Sequence, residues 1–124
     1  MLRVLIVDDD PQFQTIASEV LKRKLGVEIE LAHSGNHAIS LLAQGHRFEF
    51  IISDYDMPDG NGVSIFNFLR KNKIFAFFIL FTSADDTASL QSQFPGKTFL
   101  GIVPKSKARD LCDVVIQAAT SWQP

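Results

Sequence analysis

Four strand-like apolar segments of this chain each end in residues suited to phosphate chemistry. The segments and the residues after them are Leu2–Val7 with Asp8 and Asp9, Phe50–Ser53 with Asp54, residues 76–81 with Thr82, and residues 99–103 with Lys105. If the segments are parallel strands of one sheet, their carboxyl ends lie at the same edge and these side chains converge. Carboxylates for a cation, a hydroxyl and an ammonium would then surround one central carboxylate, which indicates a site for forming and sensing an aspartyl phosphate.

Three carboxylates at one point require a cation. Two unit charges roughly 4 Å apart repel by about 4 kcal/mol at an effective dielectric constant of about 20. Oxygen ligands favour a hard ion, and Mg²⁺ is usually held by one or two carboxylates, water and the phosphate of a substrate. The pair Asp8 and Asp9, together with Asp54, therefore predicts a Mg²⁺ site. Lys105 would neutralise the transferring oxygens, and Thr82 would donate a hydroxyl to the product.

The other residues capable of chemistry have simpler interpretations. Asp10 precedes Pro11 at the start of a predicted helix, where it is expected to cap the helix. The single Cys112 lies on an apolar helix face and is interpreted as a buried, inert thiol. Three histidines lack the spacing of metal ligands and are expected in surface or loop positions; they are His33, His37 and His46.

Strand-like and helix-like segments alternate along the 124 residues, which is typical of βαβ units that form a parallel sheet covered on both faces. One domain is expected over residues 1–124, with five strands and five helices. The predicted strands are Leu2–Val7, residues 27–31, Phe50–Ser53, residues 74–81 and residues 99–103. One predicted helix begins at Pro11 and is closed by Gly26, a second is capped by Ser34 and ends at Gly45, and the others cover residues 63–71, 85–94 and 107–122.

With the first helix on one face of the sheet and the third on the other, the first and third strands flank the point where parallel sheets bind ligands.

The predicted helices differ in how clearly their apolar faces are marked. The segment 85–94 is rich in Ser, Thr and Asp and is predicted to be the weakest helix, with Ala88, Leu90 and Phe94 as its buried residues. The last helix is expected to bury five residues, which are Ala108, Leu111, Cys112, Val115 and Ala119.

Composition narrows the classes of partner. Twelve basic and fourteen acidic residues give a formal net charge of −2, so direct binding to nucleic acid is not expected. The apolar run 74–81 is too short to span a membrane. No secretory signal precedes the first strand and one cysteine cannot form an internal disulfide, so a cytoplasmic location is expected.

Four motifs occur in a fixed order along nearly the whole chain. They are Asp8-Asp9, Asp54-Tyr55-Asp56-Met57-Pro58 with Gly62, Phe81-Thr82-Ser83-Ala84, and Lys105. In these motifs the chain resembles the receiver domain of two-component response regulators. Asp-x-x-Met-Pro-x-x-x-Gly with the upstream acidic pair is the specific part of this signature. The resemblance implies a flavodoxin-like (βα)₅ fold of three layers, α/β/α, in which a doubly wound parallel sheet has the strand order 2-1-3-4-5.

The resemblance also implies roles for individual residues. Asp54 would accept phosphate from a histidine kinase or a phosphotransfer protein. Mg²⁺ would be bound by Asp8, Asp9 and Asp54 with the backbone carbonyl of Asp56. Lys105 would pair with the phosphoryl group. Apart from the protein's own phosphorylation and dephosphorylation, no enzymatic activity is expected.

The signal is expected to leave the site through contacts with other proteins. By resemblance, Thr82 would turn toward the phosphoryl group and report it to a downstream protein or an output domain. Receivers often use the fourth helix, fifth strand and fifth helix to dock partners or to form homodimers. Here Phe94, Phe99 and Trp122 lie near that surface, although ordinary packing in the core is the preferred interpretation.

Two positions depart from the family pattern and leave alternatives open. Ile102 stands where many receivers have an aromatic residue, and Ser106 stands where the family commonly has proline after the lysine. These departures suggest an adaptor that keeps the fold without being switched by phosphate. A further alternative takes Asp54 and Asp56 as the acidic pair of a haloacid dehalogenase-like phosphatase, although that motif normally follows the first strand. The retained acidic residues, hydroxyl and ammonium favour the phosphorylated switch.

Overall fold

The computed structural model describes residues 1–83 and 85–121, so Ala84 and Trp122 lie outside the described residues. The strands are β1 (Leu2–Val7), β2 (Val27–Ala32), β3 (Phe50–Ser53), β4 (Phe77–Thr82) and β5 (Phe99–Pro104). The helices are α1 (Pro11–Lys24), α2 (Gly35–Ala43), α3 (Gly62–Lys71), α4 (Thr87–Gln91) and α5 (Asp110–Ser121), with a 3₁₀ turn at Lys105–Lys107. None of the helices in the described part of the chain combines the length and apolar character that a membrane crossing needs.

All five strands are parallel, as the alternation of segments predicted, and their order is β2-β1-β3-β4-β5, as the family resemblance implied. One buried cluster joins the sheet to α1 and α5, and a second joins the opposite face to α2, α3 and α4. Because the central strands are buried on both faces, β3 has no exposed residue. The first and third strands are neighbours, which confirms the predicted switch point above their carboxyl ends.

Helix caps form where the sequence placed them. The Asp10 carboxylate accepts a hydrogen bond from the Gln12 N–H at 2.9 Å, and Pro11 occupies the first helical position of α1. The Ser34 hydroxyl accepts a hydrogen bond from the His37 N–H at 3.0 Å and begins α2. These bonds satisfy N–H groups that would otherwise lack partners at the helix start. They also fix the helix starts beside the carboxyl ends of β1 and β2.

Several predicted boundaries and buried positions were wrong. The fourth strand begins at Phe77 and not at residue 74, because Ile74 still hydrogen-bonds back to α3 after a turn at Lys73. Phe75 precedes the strand and is 50% exposed. The fourth helix has only five residues, and Ala88 on it is exposed. Its low helix propensity explains the short length.

The last helix begins at Asp110 and not at residue 107, because the Lys105–Lys107 segment forms a 3₁₀ turn. Leu111, Cys112 and Val115 are buried as predicted. The prediction that Ala119 is buried was wrong, since Ala119 is exposed and the half-buried Ala118 packs against the core instead. The apolar stripe continues from Val115 by three residues, which keeps it over the sheet.

A register shift in β5 aligns its end with the end of β4. Phe78 pairs with Phe99, but the next pair is Ile79 with Gly101, so one residue of β5 bulges out of the ladder. Gly101 has φ +132°, a conformation that side chains rarely adopt. After the shift, Thr82 pairs with Pro104, and Lys105 follows immediately.

Candidate functional site

Asp54 is the central carboxylate of the site and follows β3 directly. Its side chain is 10% exposed. Oδ1 accepts a hydrogen bond from the Tyr55 backbone N–H at 2.7 Å, and Oδ2 accepts one from Lys105 Nζ at 2.9 Å. The Asp54 N–H donates to the Val7 carbonyl at 2.9 Å, and the Asp54 carbonyl accepts a bond from the Ser53 hydroxyl at 2.7 Å. Main chain and carboxylate are therefore both held in place.

Lys105 is the ammonium shared by two carboxylates. Its Nζ lies 2.9 Å from Oδ2 of Asp54 and 2.9 Å from Oδ2 of Asp8, and its side chain is 8% exposed. The ring of Phe13 covers the ammonium, with Nζ 4.2 Å from the ring centroid. Burial alone would lower the pKa of Lys105, but the bonds to Asp54 and Asp8 outweigh burial and raise it above 10.5. The side chain is therefore positively charged at neutral pH.

Asp8 is the most buried carboxylate of the site, at 2% exposed. Its Oδ1 accepts a hydrogen bond from the Asp10 N–H at 2.9 Å. Its Oδ2 contacts the Lys105 ammonium, but within the described residues it receives no bond of full hydrogen-bond geometry. Burial raises the pKa of Asp8 above 3.8, although Lys105 and the Asp10 N–H oppose that rise. Asp8 and Asp54 therefore share one ammonium, which leaves the two carboxylates with more negative than positive charge.

Asp8, Asp9 and Asp54 together form a site that fits a hard cation. Each offers one carboxylate oxygen, and these oxygens lie within 4.8 Å of one another. In residues 1–83 and 85–121 this is the only group of three or more such side chains placed to hold a metal. All three donors are oxygen, Asp9 is open to solvent, and the buried Oδ2 of Asp8 lacks a full hydrogen bond. The donor set fits Mg²⁺, which keeps several waters when bound to protein.

Thr82 and Asp56 lie on the same edge of the sheet as the cluster. Thr82 is the last residue of β4, is 3% exposed, and pairs in register with Pro104, the residue before Lys105. The hydroxyl and the ammonium thus come from neighbouring strand ends. Asp56 is exposed in the loop after Asp54. That the backbone carbonyl of Asp56 binds the metal stays a prediction.

The loop between β3 and α3 packs tightly beneath Asp54. The Gly62 N–H donates to the Tyr55 carbonyl at 3.1 Å. A Cβ on Gly62 would lie 2.9 Å from the Asp54 carbonyl oxygen and 3.2 Å from a methyl group of Leu80. Glycine at this position therefore allows the start of α3 to approach the backbone of Asp54.

Asp59 ties the same loop to the start of α2. Its carboxylate accepts bonds from Ser34 Oγ at 2.9 Å and from Asn36 Nδ2 at 2.7 Å. The bonds from Asn36 and Ser34 lower the pKa of Asp59 below 3.8. The loop that carries the Met-Pro motif is therefore bonded to the start of α2 through Asp59 and closed on itself by the bond from Gly62 to Tyr55.

The prediction of an inert cysteine is consistent with the structure. Cys112 is buried, its Sγ donates to the Val20 carbonyl at 3.1 Å, and burial raises its pKa above 9.0. His33 is exposed, while His37 and His46 are half-buried.

Sequence reasoning missed two contacts at the site. The apolar spacing of the first helix predicts only that Phe13 lies on its buried face, whereas in the structure its ring lies on Lys105. Its place one turn after the acidic loop was the signal. The motif around Asp54 predicts no contact for the Tyr55 phenol, which donates to Gln93 at 3.3 Å. No local pattern in the sequence indicates that second contact.

Comparison with known proteins identifies relatives across most of the chain. The family model "Response regulator receiver domain" matches residues 4–116. The two-component response regulator ARR22 of Arabidopsis thaliana is 32% identical over 95 residues, which cover 76% of this chain and 66% of that protein. The sensor protein TorS of Escherichia coli is 28% identical over 110 residues, covering 89% of this chain and 12% of that protein. The chain thus spans under two thirds of each of these relatives.

Solved structures show the same architecture. The response regulator domain of CheB from Thermotoga maritima superposes with a TM-score of 0.82 at 18% identity, covering 100% of this chain and 99% of that one. TrrA from the same organism, solved in complex with Mg²⁺-BeF, gives a TM-score of 0.78 at 29% identity, with 94% and 97% of the chains covered. At such low identity the first likeness is evidence for the fold.

Proposed function

Because this chain belongs to the response regulator receiver family of two-component signalling, we propose that Asp54 accepts a phosphoryl group from the phosphohistidine of a histidine kinase or phosphotransfer protein. The observation that supports this most directly is the setting of Asp54. It contacts the Lys105 ammonium and shares a metal-sized cluster with Asp8 and Asp9. Asp8 makes the same contact but is more deeply buried, at 2% exposed against 10% for the Asp54 side chain, so Asp54 is the more accessible nucleophile of the two. The family match favours this reading over the phosphatase alternative.

The proposed chemistry is an in-line transfer. A carboxylate oxygen of Asp54 attacks phosphorus, the new P–O bond forms, and the P–N bond to the donor imidazole breaks. The imidazole leaves and takes up a proton. Lys105, protonated at neutral pH because its pKa is raised, faces the transferring oxygens and stabilises their charge. Beyond forming and losing its own aspartyl phosphate, the protein is not proposed to be an enzyme.

Asp8, Asp9 and Asp54 would hold Mg²⁺, with the carbonyl of Asp56 as a further ligand. The fit rests on the oxygen-only donor set and the incompletely bonded Oδ2 of Asp8. When bound, Mg²⁺ supplies positive charge against the phosphoryl oxygens. The likeness to TrrA, solved with Mg²⁺-BeF, supports this assignment.

The face beside Lys105 suits the phosphodonor. A cleft of about 600 Å³ between α1 and the Lys105–Lys107 turn is lined by apolar Ile16 and Val20 and by Arg109. A second cleft continues from Val20 past Arg23 and Lys24. We therefore place there a donor whose docking surface is apolar in the centre and acidic at the rim.

Thr82 is proposed to report phosphorylation. Its position at the end of β4, paired with the residue before Lys105, supports a role for the hydroxyl beside the phosphoryl group. The following segment leads into α4, which has only five residues, so little packing opposes its movement. A homodimer or a docked partner on α4, β5 and α5 stays a proposal, as does a cytoplasmic location. Phe94 is 3% exposed and belongs to the core, whereas the half-buried Leu100 and Val114 line a cleft between β5 and α5.

The test compares phosphorylation of the wild type with that of Asp54→Asn. Each protein is incubated with Mg²⁺ and acetyl phosphate, and the intact mass is measured. We expect one phosphoryl group on the wild type and none on Asp54→Asn, because the amide keeps the shape but is not nucleophilic. Asp10→Asn, which can keep the cap of α1, is the matched control and should be labelled like the wild type. Equal labelling of Asp54→Asn would disprove the assignment, and an unlabelled wild type would support the adaptor alternative.

A further inference from the structure

Tyr55 joins the phosphoacceptor to a segment on the far side of α4. Its backbone N–H donates to Oδ1 of Asp54 at 2.7 Å, and its phenol hydroxyl donates to Oε1 of Gln93 at 3.3 Å. It is the only tyrosine in the sequence. One residue thus contacts both the carboxylate that would be phosphorylated and the connection between α4 and β5.

Gln93 lies beside the aromatic cluster of this face. The next residue, Phe94, is 3% exposed, and its ring stacks on Phe99 of β5 with a centroid distance of 4.7 Å. Phe94 also stacks on Phe78 of β4 at 5.5 Å. Because the Phe94 ring is packed against rings of β4 and β5, a movement of the neighbouring Gln93 would alter the packing of both strands and of α4.

The residue in β5 on the same face has no hydrogen-bonding side chain. Ile102 is half-buried and packs against the same core cluster as Tyr55. Its β-branched side chain is stiff and cannot exchange hydrogen-bond partners. On this face the aromatic ring with a hydroxyl therefore belongs to Tyr55, which follows β3, and not to a residue of β5.

We propose that Tyr55 carries the phosphorylation state of Asp54 to the α4–β5 connection through its bond to Gln93. The inference rests on the proposed phosphorylation of Asp54. When the carboxylate becomes an acyl phosphate, it no longer carries its negative charge, so the bond from the Tyr55 N–H weakens and the main chain at Tyr55 shifts. The phenol bond at 3.3 Å is already longer than the usual 2.7–2.8 Å for O–H···O, so a small shift breaks it. Without that bond, residues 87–98 open more often and their amides exchange faster.

The consequence can be measured as amide hydrogen exchange in residues 87–98. Loss of one neutral hydrogen bond changes an opening equilibrium by about two-fold to ten-fold. Tyr55→Phe, which keeps the ring, should raise exchange in this segment by that factor in the protein without phosphate analogue. Gln93→Leu should do the same, and the double variant should exchange no faster than either single variant, because all three lack the same bond.

The decisive comparison adds Mg²⁺ and beryllofluoride, with occupancy of the analogue followed by ¹⁹F NMR. In the wild type we expect faster exchange in residues 87–98 on binding, and in occupied Tyr55→Phe little further change. Gln91→Leu is the matched control, since Gln91 is the exposed last residue of α4, two positions before Gln93, and should respond like the wild type. A full wild-type response in occupied Tyr55→Phe would overturn the inference. Failure of the wild type to bind the analogue would instead overturn the proposed function beneath it.

Discussion

Replacing Lys105 with methionine tests whether one ammonium holds the acidic cluster together. The side chains of Lys105, Asp8 and Asp54 are 8%, 2% and 10% exposed, so the two carboxylates would be left largely buried without a counter-charge. Removing one partner of a buried ion pair costs about 3–5 kcal/mol. For a domain of this size, with roughly 4 °C per kcal/mol, the melting temperature should fall by about 12–20 °C. The total stability of a domain is about 5–15 kcal/mol, so a loss of this size is a large fraction of it and shifts the unfolding midpoint measurably.

The loss in Lys105→Met should depend on pH. Because the pKa of folded Asp8 lies above 3.8, the folded protein binds this proton more tightly than the unfolded chain does. Protonation of Asp8 therefore stabilises the fold fully below about pH 4, and this contribution is lost as pH rises through the raised pKa. Without the ammonium that pKa rises further. The difference from wild type should be largest at pH 7 and shrink toward pH 4.

The assay is urea unfolding followed by circular dichroism in EDTA at pH 7, 5 and 4. Lys107→Met, an exposed lysine of the same turn, is the matched control and should stay within about 0.5 kcal/mol of wild type. Asp8→Asn combined with Lys105→Met should recover part of the loss, and Mg²⁺ should stabilise the single variant by binding the folded state. If Lys105→Met lost no more than Lys107→Met at pH 7, or lost equally at all three pH values, the charge argument would be refuted.

Three further predictions concern residues around the cluster. Gly62→Ala should lower the unfolding free energy by about 1–3 kcal/mol, because its Cβ would lie 2.9 Å from a backbone oxygen, while Gly26→Ala, with nothing within 4 Å, should not; equal denaturation midpoints would contradict this. Asp59→Asn should destabilise the protein above pH 3.8, and the gap should close as pH falls through the lowered pKa of Asp59, since the carboxylate stabilises the fold only when ionised; a gap that stayed constant in urea midpoints would count against it. Phe13→Leu and Lys105→Met should show a coupling energy of about 0.5–2 kcal/mol in a double-mutant cycle, whereas additive losses would show that the ring does not stabilise the ammonium.

The side chains of the candidate site could be predicted to share one edge of the sheet, because that placement depends on local patterns and one property of parallel sheets. Short apolar runs that end in Asp8, Asp54, Thr82 and Lys105 mark strand ends, and parallel strands bring their carboxyl ends to one edge. The caps Asp10 and Ser34 were predictable for the same local reason, since a cap bonds within three residues of itself.

Boundaries were less predictable, because they depend on competition between neighbouring elements. Apolar residues 74–76 look like strand, yet the turn at Lys73 and a bond back to α3 keep them out of the sheet. Phe75 is consequently half exposed, although it is the same residue type as Phe77 and Phe78 in the strand that follows. Ala119 was misplaced because a stripe can continue by three or by four residues, and only packing against the sheet selects one.

Contacts between distant residues were decided by the tertiary structure alone. The Phe13 ring over Lys105 and the phenol of Tyr55 on Gln93 each join segments far apart in the chain. Periodicity reports which face of an element is buried, but it does not report which side chains from different elements meet there. The raised pKa of Asp8 belongs to the same class, because desolvation and the distance to an ammonium exist only once the chain is folded. The residue types of the acidic cluster and its lysine are therefore determined by the sequence, while their charge balance and the contacts between distant elements arise from packing.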